Sequence, residues 1–225
     1  MALLLTSSKS YRRSDFKSRY FFVTVISLML TTVALGYYQW QTRLKNRVLL
    51  KRFGVVEERK IYRSGQISKN YIEKTLKEYR IQAIIDLNGY EYFNEDQEHE
   101  LAVAWKLKIP VNRFSLAGDG TGDIHFYAQA LAALRDYLKL GKPVLIHCAA
   151  GSQRTGTAVA FFRLLVQQKS PEIVMDEMLQ YNWQRGDDSV SFHYINDNMQ
   201  KLAELLQQTH VIDEIPNPLP QLTLR

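Results

Sequence analysis

Between Arg19 and Arg43 the chain carries no charged residue, and from Tyr20 to Tyr38 most side chains are apolar. A run of that length matches the roughly 20 residues a helix needs to cross a hydrocarbon core. Backbone amides in hydrocarbon must be satisfied within the segment, so a single stretch of this kind is restricted to a helix. Thr24, Ser27, Thr31 and Thr32 can bond back to helix carbonyls and so do not forbid insertion. Tyr20, Phe21 and Phe22 at one end, with Tyr37, Tyr38 and Trp40 at the other, match aromatics placed at two headgroup levels. The expectation is a single-pass membrane anchor over residues 20–40 behind a basic tail, 1–19. The alternatives are a buried helix or a cleaved signal peptide. The apolar run exceeds a usual signal core, and the one cleavage-like triplet, Ala34-Leu35-Gly36, is followed by two tyrosines. Arg12-Arg13 with Phe16 and Lys17 faintly resembles a twin-arginine export signal. Five Lys/Arg precede the span and five follow it closely, so its flanks lack the positive-inside asymmetry that sets orientation.

The net charge of +6 also traces to this region. Residues 1–59 hold 11 Lys/Arg against 3 Asp/Glu, whereas residues 60–225 hold 18 against 20. The remainder of the chain is therefore mildly acidic, with no basic field for a polyanion, and no nucleic-acid partner is expected. The single cysteine excludes an internal disulfide and a cysteine-rich zinc site. No metal and no cofactor are expected.

Residues 41–54 read as a basic juxtamembrane linker compatible with a helix, and residues 55–208 as one folded domain followed by a Pro-containing extended tail, 209–225. Within the domain, strand-like and helix-like segments alternate. Val55–Tyr62 suits a strand or hairpin, Gln82–Leu87 and Ile109–Phe114 short strands, and Val144–Ile146 a buried strand. Helices are expected over Ser68–Tyr79, with Ser68 as N-cap, and over Glu95–Leu107, with Leu101, Ala104, Trp105 and the Lys108 stem facing inward. Further helices are expected over Ile124–Leu140, Arg154–Gln168, from Ser170-Pro171-Glu172, and over Ser191–Gln208. This alternation implies an α/β domain: a central, mostly parallel sheet flanked by helices. Sites in such folds form beyond the carboxyl ends of the strands.

Cys148 stands at that place, after Val144–His147 and before a helix. Successive backbone N–H groups at a helix N-terminus bind phosphate well. The segment Ala149-Ala150-Gly151-Ser152-Gln153 can curl into such a nest, Gly151 supplying a conformation other residues resist. Arg154 can hold two phosphate oxygens in bidentate fashion, which lysine cannot copy. The same positive surroundings lower a thiol's pKa. A thiolate could then attack phosphorus and form a cysteinyl-phosphate. Thr155 can bond the sulfur and help it leave, and His147 can orient the loop through its ring. Alone, a cysteine after an apolar strand is a small buried hydrophobe. The combined spacing in strand–loop–helix context is what gives the motif its specificity.

His147-Cys148-x-x-Gly151-x-x-Arg154-Thr155-Gly156 resembles the signature loop of the dual-specificity branch of the protein tyrosine phosphatase superfamily. Ile61-Tyr62-Arg63-Ser64-Gly65-Gln66 resembles the opening segment of small members, and Asp119-Gly120-Thr121-Gly122-Asp123-Ile124 resembles the acid loop of the kinase-associated branch. The resemblance implies an aspartate that protonates the leaving group. Asp119 lies 29 positions before Cys148 and Asp123 lies 25 before it. The family pattern puts the acid at Asp119 and leaves Asp123 to cap a helix. Lipid- and inositol-directed relatives often carry lysines in the loop; here Ala149, Ala150, Ser152 and Gln153 are neutral. The expected activity is dephosphorylation of phosphotyrosine, phosphoserine or phosphothreonine proteins. The alternatives are a lipid or inositol phosphate phosphatase, a rhodanese-like sulfurtransferase, a catalytically inactive phosphate-binding adaptor and a membrane-tethered scaffold.

Overall fold

The computed structural model of the chain describes residues 8–40, 50–183 and 189–223, with side chains from Tyr20 onward. Most of the expected linker, 41–49, and the first seven residues of the basic tail lie outside the described residues. The chain divides into two units, Met1–Leu49 and Leu50–Arg225.

The first unit holds α1, Ser8–Gln39. Its segment Tyr20–Gln39 is long and apolar enough to cross a bilayer, and none of its apolar window is buried by protein. Thr24, Thr31 and Thr32 each donate to the carbonyl four residues earlier at 2.8 Å, which removes their unpaired hydroxyls from the helix surface.

The second unit is built on five strands: β1 (Gly54–Glu57), β2 (Ile61–Gly65), β3 (Ala83–Asp86), β4 (Val111–Arg113) and β5 (Val144–Cys148). Their spatial order is β1-β2-β5-β3-β4. β2, β5, β3 and β4 run parallel, and β1 pairs antiparallel with β2 as an edge hairpin. The expected Val55–Tyr62 strand or hairpin is thus a hairpin. β5 sits between β2 and β3 and is buried along its whole length. Its residues alternate between two cores, as a two-residue period requires. Val144 and Ile146 face the larger core, under α4 (Ile124–Lys139), α5 (Gln153–Phe161) and α7 (Ser189–Gln208). Leu145 faces the smaller one, under α2 (Ile72–Glu78) and α3 (Glu95–Leu107). The remaining helix, α6 (Pro171–Gln180), starts with Pro171 in its first turn after Ser170.

Five local expectations need correction. α2 starts at Ile72, because Ser68 closes a separate turn: its carbonyl accepts from the N–H groups of Tyr71 and Ile72. In α3 the inward face is Gln97, Glu100, Val103 and Ala104, and Trp105 is 87% exposed. Hydrophobic periodicity misjudged that face because two of its members are polar and bonded inside. The helix after Cys148 is regular only to Phe161; a wider π-helical turn, Phe162–Val166, completes it. The C-terminal tail is docked: Ile212 and Leu222 are buried, and Asn196 on α7 exchanges two hydrogen bonds, 2.9 and 3.0 Å, with the Leu222 backbone. The boundary expected at residue 55 falls inside the unit, since Leu50 and Phe53 pack on the smaller core.

Truncating Leu222 to alanine is expected to lower stability by about 2–5 kcal/mol, the usual range for a buried leucine. Urea unfolding of the detergent-solubilised chain followed by circular dichroism measures it; an unchanged midpoint would mean the tail contributes no packing.

Candidate active site

β5 delivers Cys148 at its last position, in register with Gly65 at the end of β2. The loop that follows lies directly on the β2 terminus. A Cβ at Gly151, where φ is +79°, would stand 2.4 Å from the Gly65 nitrogen. A Cβ at Gly65 would stand 2.8 Å from the Ala150 oxygen. Both positions therefore require glycine, Gly151 for its conformation as well. This close approach turns the loop so that the Gly151 N–H donates to Cys148 Sγ at 3.1 Å.

Burial pushes the Cys148 thiol up, but the Thr155 hydroxyl, the Arg154 guanidinium and the N–H groups of Gly151 and Thr155 outweigh it, leaving the pKa below its ordinary value. Arg154, at the start of α5, is buried, and its Nη1 donates to the Leu87 carbonyl at 3.3 Å, just past the end of β3. Thr155 is fully buried, its hydroxyl 3.5 Å from the Ser64 carbonyl. The neutral positions Ala149, Ala150, Ser152 and Gln153 complete the loop and the first turn of α5.

Asp119 belongs to a tight loop, Ser115–Asp123, held against the start of α5. At Gly120, φ is +89°, and an added Cβ would meet the Gln153 backbone at 3.2 Å and Thr157 Oγ1 at 2.9 Å. Tyr127 donates its hydroxyl to the Gly120 carbonyl at 2.7 Å, and Tyr194 donates to that of Gly122 at 2.8 Å. The carboxylate of Asp119 is exposed and accepts from the Thr121 N–H at 3.0 Å and the Thr121 hydroxyl at 2.7 Å. Those two bonds hold its pKa below the usual range. Asp123 caps α4, accepting from the His125 N–H at 2.9 Å. The structure thus gives the two aspartates separate situations: Asp123 is committed to the helix end, and Asp119 precedes Gly120, whose backbone packs on the start of α5.

His147 departs from its expected place. Its ring makes no hydrogen bond to the loop; Nε2 lies 3.3 Å from Glu100 Oε1 on α3, and both side chains are fully buried. Asp86, also fully buried, accepts from Arg113 Nε at 2.7 Å and from the Asn88 N–H at 2.9 Å. Glu100 further accepts from Gln66 at 3.0 Å. Two carboxylates are thereby matched by two cations, which lets the cluster stay dry. Burial pulls the His147 pKa down, but Glu100 and Asp86 outweigh it and raise it from 6.5 to about 9. Neither Glu100 nor Asp86 stood out in the sequence. Glu100 looks like a surface residue of an acidic helix, and Asp86 is one polar position in a short apolar strand.

The fold and site agree with what the chain is similar to. A family model described as the tyrosine phosphatase family matches residues 50–212. The chain belongs to that family. No curated protein sequence matches it. Among solved structures, the core catalytic domain of the PP-IP phosphatase Siw14 from S. cerevisiae aligns with a TM-score of 0.56 at 21% identity, over 73% of this chain and 96% of that one. P. aeruginosa TpbA aligns with a TM-score of 0.55 at 19% identity, over 68% and 89%. PTPMT1 aligns with a TM-score of 0.50 at 17% identity, over 68% and 99%. At these identities the likeness establishes the fold. Membership in the family makes the chain a cysteine-dependent phosphatase.

A raised histidine pKa has a defined effect on stability. Protonated His147 contributes fully below its unfolded pKa near 6.5, and the contribution is lost as pH rises through about 9. The melting temperature should therefore fall between those pH values, and Glu100→Gln should flatten the decline. A slope unchanged by that substitution would separate the histidine from the effect.

Proposed function

We propose that the chain is a membrane-anchored phosphatase that hydrolyses phosphate monoesters on proteins, with Cys148 as its nucleophile. The observation that carries this reading is the thiol at the floor of an N–H nest, 3.1 Å from the Gly151 N–H, with Arg154 and Thr155 beside it. The thiolate attacks phosphorus as the bond to the substrate oxygen breaks, giving a cysteinyl-phosphate. Arg154 and the N–H groups of residues 149–154 hold the phosphoryl oxygens. Asp119 gives its proton to the leaving oxygen, then takes one from the water that attacks the intermediate. Thr155 stabilises sulfur as it departs. The apolar helix Tyr20–Gln39 supports a bilayer anchor.

Two features support a protein substrate. The variable loop positions are neutral, so Arg154 is the one charged side chain that the loop itself offers to a phosphate. The segment after Leu87 also exposes Tyr90, Tyr92 and Phe93, at 55%, 80% and 92%. That segment starts beside Arg154 and contacts Ser115 at the start of the acid loop, where an added Cβ on Gly89 would stand 2.5 Å from Ser115 Oγ. Exposed aromatics of this kind suit a peptide better than a small polyanion. TpbA has been solved in complex with phosphotyrosine. A phospholipid or inositol phosphate substrate is the second reading: Siw14 is described as a PP-IP phosphatase, and PTPMT1 has been solved in complex with PI(5)P.

Para-nitrophenyl phosphate, phosphopeptides and phosphoinositides, presented to the detergent-solubilised chain, test these points together. Cys148→Ser should abolish turnover on all of them; residual turnover would overturn the mechanism. Asp119→Asn should lower turnover of alkyl phosphates by about 10²–10⁴, and Asp123→Asn should do far less. The reverse order would remove Asp119 from its role. Preference for phosphoinositides over phosphopeptides would favour the second reading.

The Thr121 bonds give Asp119 a pH signature. They lower its pKa, so the protonated acid is depleted at a lower pH than usual and the alkaline limb of kcat/KM is shifted down. Thr121→Val removes the hydroxyl bond and should move that limb to higher pH. A limb that stays in place would show that it reports another group.

A further inference from the structure

Three cations outside the signature loop converge on its backbone. Lys51 Nζ donates to the Ala149 carbonyl at 3.0 Å, Arg52 Nη1 to that of Ala150 at 2.8 Å, and Arg63 Nη2 to that of Gly151 at 2.9 Å. Three consecutive carbonyls thus each take a charged donor. In a planar trans peptide the carbonyl and the following N–H point in opposite directions. A carbonyl fixed on an outer cation therefore turns the next N–H to the other side of the loop. The middle peptide displays both ends: its carbonyl, on Ala150, accepts from Arg52, and its N–H, on Gly151, donates to Cys148 Sγ.

The approach of these side chains is built into the fold. The Lys51 carbonyl accepts from the Gly65 N–H at 2.7 Å, which ties the segment before β1 to the end of β2. Arg52 occupies the left-handed region, with φ of +48°, where a non-glycine residue is uncommon and strained. Arg63 is fully buried, with the Tyr181 ring 3.8 Å from its guanidinium carbon. Burying an arginine is costly unless its charge is used. Here burial draws its pKa down to about 10, opposed by Glu177, Tyr181 and Cys148.

We propose that Lys51, Arg52 and Arg63 are positioning residues that hold the peptides of Ala149, Ala150 and Gly151 with their N–H groups turned toward the cysteine and the phosphate it receives. They act through the loop backbone. The proposal rests on the reading of Cys148 as the nucleophile. It also explains why a loop with neutral variable positions can hold a thiolate: the supporting charge comes from the segment ahead of β1 and from β2. The charged and titratable groups facing Cys148 are Lys51 from that segment, Arg63 from β2, Tyr127 from α4, Arg154 from α5, and His147 on its own strand.

The test uses the full chain in detergent micelles, with Lys51→Met, Arg52→Met and the double variant. Two readouts are independent of turnover: the pH midpoint for alkylation of Cys148 by iodoacetamide, and the affinity for vanadate. Each single variant should raise the midpoint, by up to about one unit, and weaken vanadate about tenfold. The double variant should do more, and Lys51→Arg and Arg52→Lys should recover most of the loss. Unchanged midpoint and vanadate affinity in a double variant that melts with the wild type would overturn the proposal. If the double variant does not fold, the single variants decide by the same criteria. A Cys148→Ser protein that still turned over substrate would defeat the mechanism of the preceding section, while the alkylation midpoints would still report on the loop.

Discussion

The loop after Cys148 rests on the end of β2 with no side chain between the two backbones. That contact governs the rest of the site. It needs a glycine on each side, Gly65 and Gly151, and it needs β5 to lie beside β2 in the register that sets Cys148 against Gly65. Once both conditions hold, the loop packs close against β2 and the Gly151 N–H faces the sulfur. Helix α5 then starts where an anion would sit, adding its own N-terminal field. The central place of β5, buried on both faces between parallel neighbours, makes this platform rigid.

Much of the site was legible because it is contiguous in the chain. Cys148 to Thr155 is one short run, and both its residue types and its strand–loop–helix setting can be read without a structure. The alternation of apolar runs likewise gave the sheet and nearly all the helices. What escaped is what distance in the chain conceals. Lys51 and Ala149 are 98 positions apart, and Arg63 and Gly151 are 88 apart. A basic residue just after an apolar span reads as a membrane-flanking charge, and nothing local says that it turns inward. Glu100 escaped for a related reason. Hydrophobic periodicity assigns carboxylates to solvent, so it rotated α3 toward Trp105 and away from the Gln97–Glu100 face.

Charge is arranged in two layers around the cysteine. Beneath it, the buried Asp86, Glu100 and His147 with the half-buried Arg113 form a set of two carboxylates and two cations that links β3, β4, β5 and α3. Around the loop, Lys51, Arg52 and Arg63 hold three of its carbonyls, and Lys51, Arg63 and Arg154 lie close enough to the thiol to act on it through their charge. The lower layer ties strands and helix together, and the upper one holds the loop carbonyls and lies near the thiol. This division lets a domain whose overall balance is acidic keep one thiol acidic as well.

The segment from Leu50 to Phe53 belongs to the folded unit, although in sequence it looks like the last stretch of a tether. Release of the domain by a protease would therefore have two very different results, decided by a few residues. A cut within 41–49 would leave Lys51 and Arg52 on the second unit, with their bonds to the loop carbonyls. A trypsin-like cut after Arg52 would remove both side chains that donate to the Ala149 and Ala150 carbonyls. The place where the chain is severed, and not only whether it is severed, would decide whether those two carbonyls keep their charged donors.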